Sequence, residues 1–342
     1  MTTVSDTPRT LAVPAPRRRR IDPRTLPTVA AVAILAVMLV YGQLAYGKIF
    51  ALNTVSNLLI TNSYLIILAV GLTFVILAGG IDLSVGAVVA FTSVSGVMLV
   101  NAGLPPVLAM VVMVATGALF GLMSGVLVQY FDVQPFIATL AMMFLARGLA
   151  SILSTAPERL ADDSGFRSLA TETKLIDGPK LNDLVVTPNV IIAVLVVVAG
   201  FVLLHRTRFG RTVYAIGGSE QSATLMGLPV ARTKLWIYVV SGTCAGLAAV
   251  VYTAKLGIAQ NITGTGWELD AIAATVIGGT LLTGGAGFVL GSVVGALVLG
   301  LMNVLITRDG TIPAEATTII TGVVLLAFVI LQRAVTRTRK RE

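Results

Sequence analysis

Charge is what this chain has least of. Of its 342 residues only 12% are Asp, Glu, Lys or Arg, against 56% hydrophobic, whereas a soluble globular chain carries about 25% charged residues. A soluble enzyme of this length would be left without a charged shell. Cysteine and histidine are scarcer still, with Cys244 and His205 each standing alone. One cysteine excludes an intrachain disulfide. One histidine excludes a multi-histidine metal site, and its place beside Arg206 at the end of an apolar run makes it a poor catalytic base. No G-x-x-x-x-G-K-[ST] phosphate loop occurs, so nucleotide hydrolysis by this chain is not expected. No catalytic residue, metal ligand or bound cofactor is therefore assigned. Disorder is excluded as well, because it needs low hydrophobicity and the mean hydropathy here is +0.93.

What is present is a series of long apolar runs. At about 20 residues per helical span, the pattern predicts ten spans, near 27–46, 58–78, 84–101, 105–129, 133–154, 189–204, 234–254, 268–283, 287–307 and 315–332. Only helices satisfy their own backbone hydrogen bonds in such surroundings. The expected fold is all-α, a polytopic membrane protein whose ten helices divide into two halves of five, inverted relative to one another. Residues 1–26, with Pro14, Pro16, Pro23 and Arg17 to Arg20, read as a flexible basic tail. Residues 27–333 form the membrane domain, and 334–342 a second basic tail. Arginines before an apolar run also resemble a signal peptide, a reading that the nine further spans make nearly irrelevant.

The net charge of +8 does not point to nucleic acid, because the bases sit in tails and one loop beside apolar spans. With the N-terminus inside, the inner segments hold 16 Lys and Arg and the outer segments seven. The positive-inside rule then places both termini in the cytoplasm. An even number of spans is required, and ten satisfies it. The long 155–188 segment falls outside.

Glycine is abundant, at 34 residues. Gly117, Gly121 and Gly125 recur on one helical face and read as close helix packing. Two glycine-broken segments link spans with almost no polar loop. One is Gly79-Gly80-Ile81-Asp82-Leu83-Ser84-Val85-Gly86; the other runs from Gly278-Gly279 through Gly284-Gly285 to Gly287. Both read as tight turns or broken helices near the inner side, with Gly79, Gly80, Gly86, Gly278, Gly279, Gly284 and Gly285 as structural turns. Irregular backbone at that depth needs protein or water around it. Asp82, Asp132, Arg147, Glu268 and Asp270 are the ionisable groups near spans. An intramembrane charge is a functional candidate, so Asp82, Arg147, Glu268 and Asp270 are carried as pathway or gate residues. The acids lie at span ends, where capping is the plainer role. Arg147 is deeper and reads as facing protein or a cavity, with an acid as one partner it could take and none assigned.

The inner loop from His205 to Lys234 holds a predicted helix over Glu220 to Met226. Ser219 suits its N-cap, Glu220 its positive end and Gly227 its stop. A helix this short is unstable alone. Ala223, Leu225 and Met226 give it a small apolar surface, which either packs on the protein's own membrane face or fits a groove on a cytoplasmic partner.

Three segments together carry a family resemblance: Gly79 to Gly86, Tyr214 to Gly227, and Glu268 to Ala274 running into Gly278-Gly279-Thr280. Over roughly residues 50–333 the chain resembles permease subunits of bacterial ATP-binding-cassette importers for monosaccharides, the ribose, xylose and galactofuranose group. His205 to Gly210 and the Met226-Gly227 ending look closest to a galactofuranose permease. The resemblance implies a permease in the bacterial cell membrane, paired with a second permease of the same or a different kind. Two cytoplasmic ATPases use the ATP, and an extracytoplasmic protein delivers the sugar. It also implies that Ser219, Glu220, Ala223, Leu225, Met226 and Gly227 form the ATPase-coupling region. The alternatives are an ion-coupled secondary transporter, with an acid such as Asp82 as coupler, and a membrane glycosyltransferase.

Overall fold

The computed structural model describes residues 26–47, 49–161, 165–176, 183–310, 313 and 316–339. The expected N-terminal tail, apart from Leu26, and residues 340–342 lie outside the described residues. Twelve helices are present among those described: α1 Leu26–Tyr46, α2 Leu52–Leu77, α3 Val85–Asn101, α4 Pro106–Tyr130, α5 Pro135–Leu153, α6 Pro188–Arg206, α7 Arg208–Gly218, α8 Glu220–Leu225, α9 Val230–Leu256, α10 Trp267–Ile277, α11 Val289–Asp309 and α12 Ala316–Arg339. Proline begins α4, α5 and α6, where its missing N–H costs nothing. Seven helices are long and apolar enough to cross a membrane, and α3 and the Ala316–Ile330 part of α12 are shorter apolar helices.

Each expected span has a helix, but the eighth differs from expectation. Sequence hydropathy extends it over 268–283, whereas α10 stops at Ile277 after 11 residues. At 1.5 Å per residue it rises only about 16 Å, half of a hydrocarbon core of about 30 Å. Apolar Leu281 and Leu282 prolong the hydropathy signal beyond the glycines that turn the chain.

The packing has an internal pseudo-symmetry. α4 lies along α9 as α11 lies along α2; α3 touches α9 as α10 touches α2; α3 meets α5 as α10 meets α12. These pairs match α2–α5 with α9–α12, whereas the packing of α1 on α11 and of α6 on α2 has no counterpart of like extent among the described residues. The core centres on α2, where Leu72, Phe74, Val75, Ile76 and Leu77 are fully buried. Thr73 Oγ1 donates to Ser292 Oγ at 2.7 Å, tying α2 to α11. The Gly117, Gly121 and Gly125 face packs against α9: a Cβ on Gly121 would overlap the Tyr238 carbonyl oxygen, and one on Gly117 the Gly242 carbonyl oxygen.

All bases of α6–α9 except Lys255 gather at one end of the bundle, the basic end. The opposite end carries small elements between α5 and α6. β1 (Glu158–Arg159) pairs antiparallel with β4 (Ile258–Ala259), and β2 (Thr173–Ile176) with β3 (Leu184–Val186). Phe166, in a 3-10 turn over Phe166–Ala170 that packs on α9 and α6, is fully buried.

Candidate functional site

Two incomplete helices meet inside the bundle. The chain leaves α2 at the basic end and runs without helix over 78–84 before α3 starts. From the opposite end, 257–266 dips in from α9 before α10 starts. The two segments cross where Gly86 meets Gly264 so closely that a Cβ on Gly86 would overlap the Gly264 carbonyl oxygen. Only glycine fits there. The expectation of two inner-side turns is thus corrected for the first: Gly79 and Gly80 lie at the basic end, but Gly86 sits at depth.

Both helix N-termini at this crossing are positive dipole ends. The acids sit beside them. Asp82 is 1% exposed. Its Oδ1 accepts from the Ser84 N–H at 2.9 Å and the Ser84 hydroxyl at 2.6 Å, and its Oδ2 from the Ser241 hydroxyl at 2.7 Å. Glu268 and Asp270 lie in the first turn of α10. The Glu268 carboxylate reaches Gly86 in the first turn of α3, and its Oε2 has no hydrogen-bond partner among the described residues. Arg147 faces protein. No carboxylate lies within ion-pair reach among the described residues; instead its Nη1 donates to the carbonyls of Asn261 at 2.7 Å and Thr263 at 2.6 Å. The guanidinium thereby holds the dipping segment from α5. Asp132 is exposed in the α4–α5 turn at φ 52°, away from the crossing.

At the basic end, α8 forms as its cap residues predict, one residue shorter. Ser219 Oγ accepts from the Ser222 N–H at 3.2 Å, Gly227 turns the chain at φ +73°, and Lys234 Nζ pairs with Glu220 at 2.8 Å. Its three apolar residues divide. Ala223 is fully buried against Ile216 and Val230, so it faces inward rather than toward a partner. Leu225 and Met226 are 89% and 67% exposed. Ala223 thus packs on the protein itself, and only Leu225 and Met226 face outward.

Sequence reading missed α7 and its role. Thr207 caps α7 by accepting from the Gly210 N–H at 3.3 Å, a signal visible in the sequence but weakened by the glycines that follow. Gly217 on α7 packs so tightly that a Cβ would overlap the Leu77 carbonyl oxygen and the Gly285 N–H. Gly285 N in turn donates to the Leu77 oxygen at 2.9 Å. The Tyr214 hydroxyl donates to the Gly287 carbonyl at 2.6 Å. Burial pushes its phenol, already protonated at neutral pH, further up to about 12. Thus α7, the end of α2 and the 278–288 segment converge on one backbone junction. Of the turn glycines, Gly79, Gly279, Gly284 and Gly285 have positive φ, whereas a Cβ on Gly278 would overlap the Gly291 carbonyl and one on Gly80 would lie 2.7 Å from the Tyr238 hydroxyl. His205 packs among Phe201, Tyr214 and Phe288, a structural place.

The family described as "Branched-chain amino acid transport system / permease component" matches residues 54–329. The "Fructose import permease protein FruG" of Bifidobacterium longum (strain NCC 2705) is 54% identical over 325 residues, covering 94% of this chain and 95% of that protein. The "Inner membrane ABC transporter permease protein YjfF" of Escherichia coli (strain K12) is 39% identical over 316 residues, with coverage of 92% and 93%. The "Ribose import permease protein RbsC" of the same strain is 38% identical over 278 residues, with coverage of 80% and 83%. No solved structure matches the chain. With its spans, its crossing of half-helices and these relatives together, the chain is a multi-pass membrane permease and belongs to this family of transport-system permease components, alongside sugar-import permeases.

Proposed function

We propose that the chain is the membrane-spanning subunit of an ATP-driven monosaccharide importer in a bacterial cell membrane. Several relatives carry a monosaccharide in their names, and the one with 54% identity carries fructose. Fructose is therefore the first substrate to try, with ribose and galactofuranose beside it; the galactofuranose reading rests on the sequence resemblance alone. The observation that carries the mechanism is the basic end. There α8 presents Leu225 and Met226 to the outside while α7, behind it, touches both glycine segments through Gly217 and Tyr214. A cytoplasmic ATPase seated on α8 would displace α7, and with it the ends of α2 and the 278–288 segment. In this reading the basic end and both termini face the cytoplasm, which the charge count supports. It leaves the opposite end for an extracytoplasmic sugar-binding protein.

In this assembly the chain has no ATPase site and binds no cofactor; two ATPase subunits use the ATP, and a second permease completes the path across the bilayer. Co-purification with candidate ATPases, then uptake of labelled fructose, ribose or galactofuranose into proteoliposomes containing the binding protein, tests the reading. Uptake that requires hydrolysable ATP is expected. Uptake driven by a proton or sodium gradient without ATP would replace it with a secondary transporter.

A further inference from the structure

A second polar site adjoins the crossing on the far side of α10. A cavity of about 600 Å³ opens between α2, α10, α11 and α12, toward the end opposite the basic one. That volume falls within the usual range for small-molecule sites, about 300–1,000 Å³. Its polar lining includes Tyr64, Asp270, Asn303, Thr307, Thr317 and Thr321. Asn303 and Thr307 are four residues apart on α11, as Thr317 and Thr321 are on α12, so each pair projects from one face of its helix. The remaining surface of α12 carries exposed Ile319, Val323 and Leu326. A polar stripe on an otherwise apolar spanning helix faces water or protein rather than lipid.

We propose that this cavity is a transit site for a monosaccharide. The Asp270 carboxylate and the Asn303 amide have no side-chain hydrogen-bond partner among the described residues. A carboxylate and an amide supply the acceptors and donors that neighbouring hydroxyls require, and the threonine hydroxyls serve as either. The Tyr64 ring supplies an apolar face with a polar tip. It is held in place by Trp267, stacked at 4.1 Å between centroids, and by Tyr252 edge-on at 5.4 Å. This deepens the importer reading and rests on it. Among the described residues lining the cavity there is no cation, which suits passage rather than tight capture. Asp270 also links the cavity to the crossing, because it shares the first turn of α10 with Glu268.

Thr317→Cys and, separately, Asn303→Cys test the site in the assembled complex. Cys244, the chain's own cysteine, is buried, so a membrane-impermeant maleimide meets little background. Wild-type vesicles are assayed first; if they take up no monosaccharide, the importer reading itself fails. With wild-type uptake established, each variant should transport before labelling, label from outside, and lose uptake afterward. Transported sugar should slow labelling during turnover, and a sugar that is not transported should not. Full uptake after labelling overturns the transit site. So does absence of labelling at both positions, which would mean that a second permease subunit covers this face. Asp270→Asn and Asn303→Leu supply the second reading: loss of uptake with ATPase co-purification retained supports the site, and unchanged uptake in both overturns it.

Discussion

Asp82 offers a direct choice between a structural and a chemical acid. Its carboxylate gathers three donors, and of these only the Ser84 N–H is fixed. The two hydroxyls can rotate toward a carbonyl of their own surroundings. Asp82→Ala leaves that peptide N–H without an acceptor, at about 1–3 kcal/mol, and also empties the carboxylate volume. A total loss of about 2–4 kcal/mol is expected from these two terms. Asp82→Asn keeps Oδ1 for both Ser84 donors and turns its amide N–H toward the Ser241 hydroxyl, which can accept. Its cost should stay below about 1.5 kcal/mol, the scale of one ordinary hydrogen bond. The buried Cys244 thiol reports unfolding directly. On heating in detergent, a thiol-reactive dye should react at a lower temperature in Asp82→Ala than in wild type, with Asp82→Asn close to wild type. ATP-driven sugar uptake should follow the same order. If Asp82→Asn keeps wild-type thermal stability and ATPase binding yet abolishes uptake, the acid acts by its charge or its proton. The structural account is then wrong, and an ion-coupled mechanism gains its first support.

Four other outcomes follow from the basic end and the topology. Gly217→Val drives a side chain into the Leu77 carbonyl and the Gly285 N–H, and should abolish uptake, whereas Gly218→Ala, with open space around it, should transport normally; equal activity in both would remove the junction from the mechanism. Leu225→Asp with Met226→Asp should abolish ATPase co-purification without lowering the chain's own thermal stability, since both side chains are exposed. Ala223→Lys should instead destabilise the α7–α8–α9 contact, because it buries an unpaired charge. Glu172→Cys should react with an impermeant reagent from outside intact cells and Gln221→Cys only after lysis; both are exposed in the structure, and reaction of both from the same side would refute the orientation.

The bundle was largely legible in the sequence because long apolar runs have one backbone solution in a bilayer. What escaped was set by where the backbone turns rather than by hydropathy. Leu281 and Leu282 look like the end of a span, yet Gly278 and Gly279 have already ended α10. Likewise Arg208 to Gly218 looked like loop, since its glycines and charges hide a helix whose buried side is only Gly210, Thr212, Val213 and Ile216. At the candidate site, Asp82, Glu268 and Asp270 were identifiable as charges near spans. Their common cause was not, because it depends on two helix starts meeting at Gly86 and Gly264, which are 178 positions apart in the chain. For Arg147 the sequence named no partner, because carbonyls freed by an irregular segment satisfy a guanidinium as well as an acid does.

The meeting of Leu77, Gly217 and Gly285 involves main chain on every side. Side chains in contact can swing between staggered rotamers and so take up small movements. Peptide groups pressed together have no such play. In mechanical terms this joint leaves little room for backlash: were α7 to shift by a fraction of an ångström, the end of α2 and the 278–288 segment would have to follow. The same property makes the joint hard to retune. Replacing a residue there adds atoms where none fit, so a longer or shorter stroke would have to come from the length of α7 or of the glycine segment rather than from the surfaces that touch.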